Sequence, residues 1–101
     1  MSTIFDFSWD PRKASENFAK HRVSFRQASS VFDDPMQATM FDEDHSDDED
    51  RWVTLGRAKD GPVLVVVHTT EEVGVSQLHI RIISARRADR DERKQYEQMP
   101  R

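Results

Sequence analysis

Arg51, Arg57, Arg81, Arg86 and Arg87 all fall in or just after stretches patterned as strands. His68 and His79 stand near them, and Tyr96 is one helix away. Arginines on separate strands can converge when the strands pair, and converging guanidinium groups suit a phosphate backbone because their planar donors match its oxygens. Cleaving a phosphodiester in RNA asks for little more. The 2′-hydroxyl must lose a proton, the equatorial oxygens must be neutralised, and the 5′-oxygen must be protonated as it leaves. Arginine meets the second need, and histidine can meet the first or the third. Tyr96 can stack a base or shuttle a proton.

Each of these residues also has an ordinary reading. Arg51, next to Glu49 and Asp50, suits a surface ion pair worth under about 1 kcal/mol. Arg81, in mid-strand, suits a cation that meets one carboxylate. His68, ending a buried strand, suits a hydrogen-bonded core position, and Tyr96 suits packing. Taken alone, the residues define a small α+β domain with an RNA or anion site.

Other chemistries find less support. Seven acids crowd the nine residues from Asp42 to Asp50, with His45 among them. Counted from Asp42, the sixth position is Asp47 rather than glycine and the twelfth is Val53 rather than glutamate, so the run is not a calcium loop. It reads as a solvated loop. There is no cysteine, no Gly-x-Ser-x-Gly turn and no glycine-rich phosphate loop, the three glycines being widely spaced. The net charge of −4 argues against nucleic acid until its distribution is considered. With the seven acids of that run set aside, the remainder carries +3, and from Arg81 to Arg101 seven cations face four acids. Without cysteine the chain fits a reducing compartment, and its first residues lack a basic region followed by an apolar run. A cytoplasmic location with no membrane contact is expected.

The elements that would position these residues can be read in order. Ile4 to Ser8 is patterned as a first strand. Asp10 caps a helix that starts at Pro11 and runs to about His21, with Ala14 and Phe18 on its apolar stripe. Lys13, Lys20, His21 and Arg22 make its polar face basic. Ser24 with Gln27 forms a capping box for a second helix, whose buried face is Phe25, Ala28, Val31 and Phe32; Asp34-Pro35 ends it. The spacing predicts a helical hairpin packed on a sheet. Residues 37–41 and 51–59 follow as strands. A turn at Asp60-Gly61 leads into Val63 to His68, an unbroken apolar run suited to the central strand. Residues 71–76 are expected to be a connecting loop and residues 77–85 a strand alternating Leu78, Ile80 and Ile82 with His79 and Arg81. Asp89 with Glu92 then caps a charged helix from Arg90 to about Gln98. Short connections predict antiparallel neighbours, hence one α+β domain spanning residues 1–101.

Several segments together resemble one family: Phe7 to Lys13, Asn17 to His21, Val23 to Phe25, Val31 to Pro35, Asp44 to Ser46, Glu49 to Arg51, Leu55 to Arg57, Val65 to Thr69 and Ile80 to Ala88, ending near Tyr96-Glu97. In this order, and over nearly the whole chain, they are similar to the BrnT family, the toxin half of a bacterial type II toxin–antitoxin pair. The resemblance implies a RelE-like antiparallel sheet with an N-terminal helical hairpin on one face and a short C-terminal helix. It implies a ribonuclease that halts translation, neutralisation by a cognate ribbon-helix-helix antitoxin, and promoter DNA bound by the pair through the antitoxin. The family pattern favours Arg57, His68, Arg81, Arg86 and Tyr96 as the active cleft. Within it Arg57, His68, Arg81 and Tyr96 are the expected catalytic residues, Arg57 and Arg81 on the transition-state phosphate and His68 and Tyr96 handling protons or the base. Arg86, Arg87, Arg51 and Lys20 bind RNA, and neither metal nor cofactor is expected. Two departures stand out, the 71–76 connection, longer than the expected tight turn, and the acidic loop. The rival readings are a non-enzymatic module gripping a partner chain with its basic side, and a metal-dependent nuclease using the acidic loop.

Overall fold

The structure, a computed structural model, describes residues 3–99; Arg101, counted above among the C-terminal cations, lies outside them. The chain runs β1 (Ile4–Trp9), α1 (Pro11–His21), α2 (Phe25–Ser29), β2 (Ala38–Phe41), β3 (Trp52–Arg57), β4 (Val63–Gly74), β5 (Gln77–Arg87) and α3 (Arg90–Gln98). The five strands form one sheet in the order β1-β5-β4-β3-β2, with β4 at its centre as its apolar run suggests.

Three of the four ladders are antiparallel, joining strands that follow one another closely. The fourth departs from expectation: β1 pairs with β5 in parallel, so the sheet is mixed rather than antiparallel. Nearly the whole chain separates these two strands, so no short turn dictates their relative direction.

Local chemistry sets the helix ends. The Asp10 side chain accepts from the Arg12 N–H at 2.8 Å, and Arg22 closes α1 in the left-handed region with φ 58°. Ser24 Oγ accepts from the Gln27 N–H at 3.0 Å. The Gln27 amide reaches Asp60 rather than back to Ser24, so only half of that capping box is made. Asp89 and Glu92 make both halves of theirs. The second helical segment is five residues of α-helix continued by a 3₁₀ turn over Ser30–Asp33, so the expected hairpin is one full helix and a short bent segment. Both α1 and α2 contact β5.

The 71–76 connection is also corrected. Residues 71–74 belong to β4, which pairs with β5 up to Gly74↔Gln77, leaving a two-residue turn at Val75-Ser76 with Ser76 at φ 58°. The β4–β5 hairpin therefore departs from expectation in length of strand, not length of loop.

Both sheet faces are covered. Val23, Phe25, Ala28, Val31 and Phe32 pack on Leu64, Val66, Ile80, Ile82 and Ala85 on the face of α1 and α2. On the other face Tyr96 of α3 and Ala88 pack with Leu55, Val63 and Val65. The helices are thus not all on one side. Asn17, buried, clamps the layers: its amide donates to the Val23 and Ala85 carbonyls at 3.0 and 2.8 Å, and its oxygen accepts from the Ala85 N–H at 3.0 Å.

A candidate RNA-binding face

Strict alternation along β5 would place Arg81 and Arg86, five residues apart, on opposite faces. A bulge prevents this. Val67 pairs with Ser84 and His68 with Ile82, leaving Ile83 as the extra residue. Ile80, Ile82 and Ala85 therefore all face the α1 side, while Arg81 (opposite Thr69) and Arg86 (opposite Val65) both face the α3 side. Arg57, opposite Val63, shares that face. Along β4 the row runs Arg57, Arg86, Arg81 and then His79, which sits opposite Glu71. Six residues of strand separate the positions of Arg57 and Arg81, about 20 Å at the usual rise per residue. They share a face without sharing one small cleft.

At the Arg57 end, the guanidinium lies 5.5 Å from the centroid of the Tyr96 ring and donates to the Gly61 carbonyl at 2.7 Å. Asp34 binds this end together. One of its oxygens accepts from the Tyr96 hydroxyl at 2.5 Å and the Arg57 N–H at 2.7 Å, and the other accepts from the Met36 N–H at 2.9 Å. Burial alone would raise the Asp34 carboxyl, but these donors and the Arg57 charge outweigh it and hold it below the ordinary carboxylate range. Burial and the Asp34 carboxylate raise the Tyr96 phenol. Tyr96 is 4% exposed, so its ring anchors α3 to the sheet and supports Arg57 instead of offering an open stacking surface. A depression of about 200 Å³ beside it is lined by Arg57, Arg87 and Arg93, with Gly61, Pro62 and Glu97.

Arg86 is held by both oxygens of Glu92 at 2.8 and 2.9 Å; this contact raises Arg86 and lowers Glu92 from their ordinary values. Arg81 meets Glu49 of the acidic loop at 2.5 and 2.6 Å, with both side chains over two-fifths exposed. A cavity of about 460 Å³ there is lined by Arg81, His79, Glu71, Glu49, Asp50, Thr69 and Thr70. The His79 ring is fixed from both sides: Nδ1 is 3.1 Å from Asp6 Oδ2, and Nε2 is 2.8 Å from Ser8 Oγ.

The remaining predicted site residues lie elsewhere. His68 is 1% exposed on the α1 side, with Nε2 2.7 Å from Thr54 Oγ1, Nδ1 3.1 Å from the Thr69 carbonyl, and its ring edge-on to Phe32. Burial lowers its pKa, with the Thr69 carbonyl partly offsetting that. In this arrangement the ring has no route to a substrate, and its ordinary reading as a core histidine describes its place. Arg51 lines a depression of the acidic loop with Asp44, His45 and Asp48; its buried Nε has no hydrogen-bond partner among the described residues. Lys20 is exposed on α1, across the sheet from the arginine row. Arg87, at the strand end, joins the Arg57 depression. Among the described residues no three His, Asp or Glu side chains are grouped as a metal ion would need.

Sequence reasoning missed Asp34 and Arg93. In the sequence Asp34 stands out only as the residue ending a helix before Pro35, and nothing local marks its partner 62 positions away. Arg93 sits on α3 three residues before Tyr96, so its approach to Arg57 follows only once Tyr96 is known to seat the helix on the sheet.

Comparison with known proteins agrees with this architecture. The crystal structure of the Brucella abortus ribonuclease toxin BrnT superposes with a TM-score of 0.56 at 22% identity, covering 87% of this chain and 100% of that one, a likeness of fold. A search of curated proteins gives no match. The family model for the ribonuclease toxin BrnT of type II toxin–antitoxin systems matches residues 9–92, and on that match the chain belongs to the BrnT family of ribonuclease toxins.

Proposed function

We propose that this chain is an endoribonuclease toxin that cleaves single-stranded RNA by 2′-hydroxyl attack without a metal ion, and so stops translation in the cytoplasm. The observation that carries this reading is the row Arg57, Arg86 and Arg81, which the bulge at Ile83 aligns on one sheet face. A strand of RNA laid along β4 would meet cations at intervals. Arg57, with Arg87 and Arg93, grips phosphate at one end, and Arg81 neutralises the scissile phosphate at the other. Tyr96 positions Arg57 through packing and Asp34, and His68 ties β3 to β4 from beneath.

On the same proposal the fold is RelE-like, the antitoxin is a ribbon-helix-helix protein, and the complex of the two represses its own promoter with the antitoxin contacting DNA. A rival reading draws on one observation: Arg81 and Arg86 are already paired with Glu49 and Glu92, as in a module that only grips a partner. Incubating purified protein with RNA in excess chelator decides between them. Cleavage with chelator, suppressed by the antitoxin, is expected. Cleavage abolished by chelator would favour a metal-dependent nuclease. No cleavage, with translation intact when the chain is expressed, would favour the adaptor.

A further inference from the structure

The ribonuclease reading leaves its proton transfers without a donor, because His68 is enclosed in the core. The other histidine of the sheet is placed differently. His79 is on the α3 face, two residues from Arg81 on the same strand, and both line the 460 Å³ cavity. Its side chain is 30% exposed. Asp6 and Ser8 of β1 reach it because β1 runs parallel beside β5 with Asp6 opposite His79 and Ser8 opposite Arg81. The carboxylate takes Nδ1 and the hydroxyl takes Nε2. A carboxylate on one ring nitrogen fixes the ring's orientation and leaves the second nitrogen as the one that can transfer a proton. Glu71, from β4, stands directly opposite His79 in the ladder and lines the same cavity. Paired residues on one sheet face have Cβ atoms about 5 Å apart, so an acid and a base stand side by side, two residues along the ladder from the Arg81–Thr69 pair.

We propose, resting on the ribonuclease reading, that His79 is the general acid of RNA cleavage. Asp6 and Ser8 are its positioning residues, and Glu71 is the general base. The 2′-oxygen forms a bond to phosphorus as the bond from phosphorus to the 5′-oxygen breaks. The 2′ proton passes to the Glu71 carboxylate. The proton on His79 Nε2 passes to the departing 5′-oxygen, which replaces Ser8 Oγ as its partner. The products are a 2′,3′-cyclic phosphate and a 5′-hydroxyl. Arg81 releases Glu49 to neutralise the phosphate oxygens, an exchange of one anion for another between exposed groups.

A pair of dinucleotide substrates tests this, one with the natural 5′-oxygen and one with sulfur in its place, since a thiolate leaves without protonation. His79→Asn is expected to lose about 10²–10⁴-fold on the oxygen substrate, the usual contribution of a general acid, and to regain most of that loss on the sulfur substrate. Asp6→Asn should show the same pattern at smaller size. Equal loss on both substrates would overturn the proposal, because it would mark His79 as structural. So would undiminished cleavage of the oxygen substrate by His79→Asn while the wild-type chain is active. Failure of the wild-type chain to cleave either substrate would overturn the ribonuclease reading itself.

Discussion

Replacing Tyr96 with phenylalanine removes one oxygen and tests the polar contacts that help fasten α3 to the rest of the domain. The ring stays packed on Leu55, Val63 and Val65 and under the Arg57 guanidinium. What goes is the 2.5 Å hydrogen bond to the Asp34 carboxylate, along with the hydroxyl's contact with Arg57. Hydrogen bonds to charged groups contribute about 1.5–3 kcal/mol. Asp34 is half-buried and keeps two backbone donors, so the low end applies, about 1.5–2 kcal/mol. For a domain near this size that lowers Tm by roughly 6–12 °C. Thermal and urea unfolding of wild type, Tyr96→Phe, Asp34→Asn and the double variant would give the coupling directly. A coupling of about 1 kcal/mol or more is expected. Because the Asp34 carboxyl is held below its ordinary value, this stabilisation is present at neutral pH and disappears as pH falls through the folded-state value. A Tyr96→Phe protein that melts with the wild type, with no coupling in the cycle, would refute the view that Asp34 and Tyr96 seat the helix.

Three further outcomes follow from the geometry. Asn17→Ala orphans the buried Ala85 N–H and carbonyl together, and should cost at least about 2 kcal/mol in urea unfolding; a cost under half that would mean water replaces the amide. Since burial lowers the His68 pKa, its contribution to stability is complete above the unfolded value near 6.5 and is lost as pH falls below it. Unfolding free energy measured from pH 7.5 downward should start to decline there, and His68→Gln should flatten that limb. Glu49→Gln frees Arg81 from an exposed partner, so RNA affinity at low salt should rise a few-fold, in keeping with about 0–1 kcal/mol for such pairs, with a steeper salt dependence; unchanged binding would show that the loop does not compete with RNA.

Much of the fold was legible because local signals and burial agreed. Asp10-Pro11 marked one helix start and Asp89 with Glu92 another, and the Val63 to His68 run marked the central strand, each with a mechanism visible within a few residues. The direction of β1 was not legible, since parallel pairing with β5 depends on contacts across nearly the whole chain. Nor was the bulge. Ile83 looks like any strand residue, and period-2 counting then sends Arg81 and Arg86 to opposite faces. Residue type marks both His68 and His79, but the sequence puts only His68 in the expected catalytic set. Only the pleat, which turns His68 toward Phe32 and His79 toward Arg81, separates a core histidine from a surface one. The arginines were recognisable as a set. That they form an extended row, with Glu49 and Glu92 occupying two of them, required the coordinates.

The most direct test of the RNA-binding face is the cleavage rate of Arg81→Ala on single-stranded RNA in excess chelator, beside the wild type and with melting temperatures matched. If Arg81 neutralises the scissile phosphate, the rate should fall about 10²–10³-fold, as when one transition-state donor is removed elsewhere. Wild-type rates in Arg81→Ala would contradict the account, because the far end of the arginine row would then have no part in the chemistry.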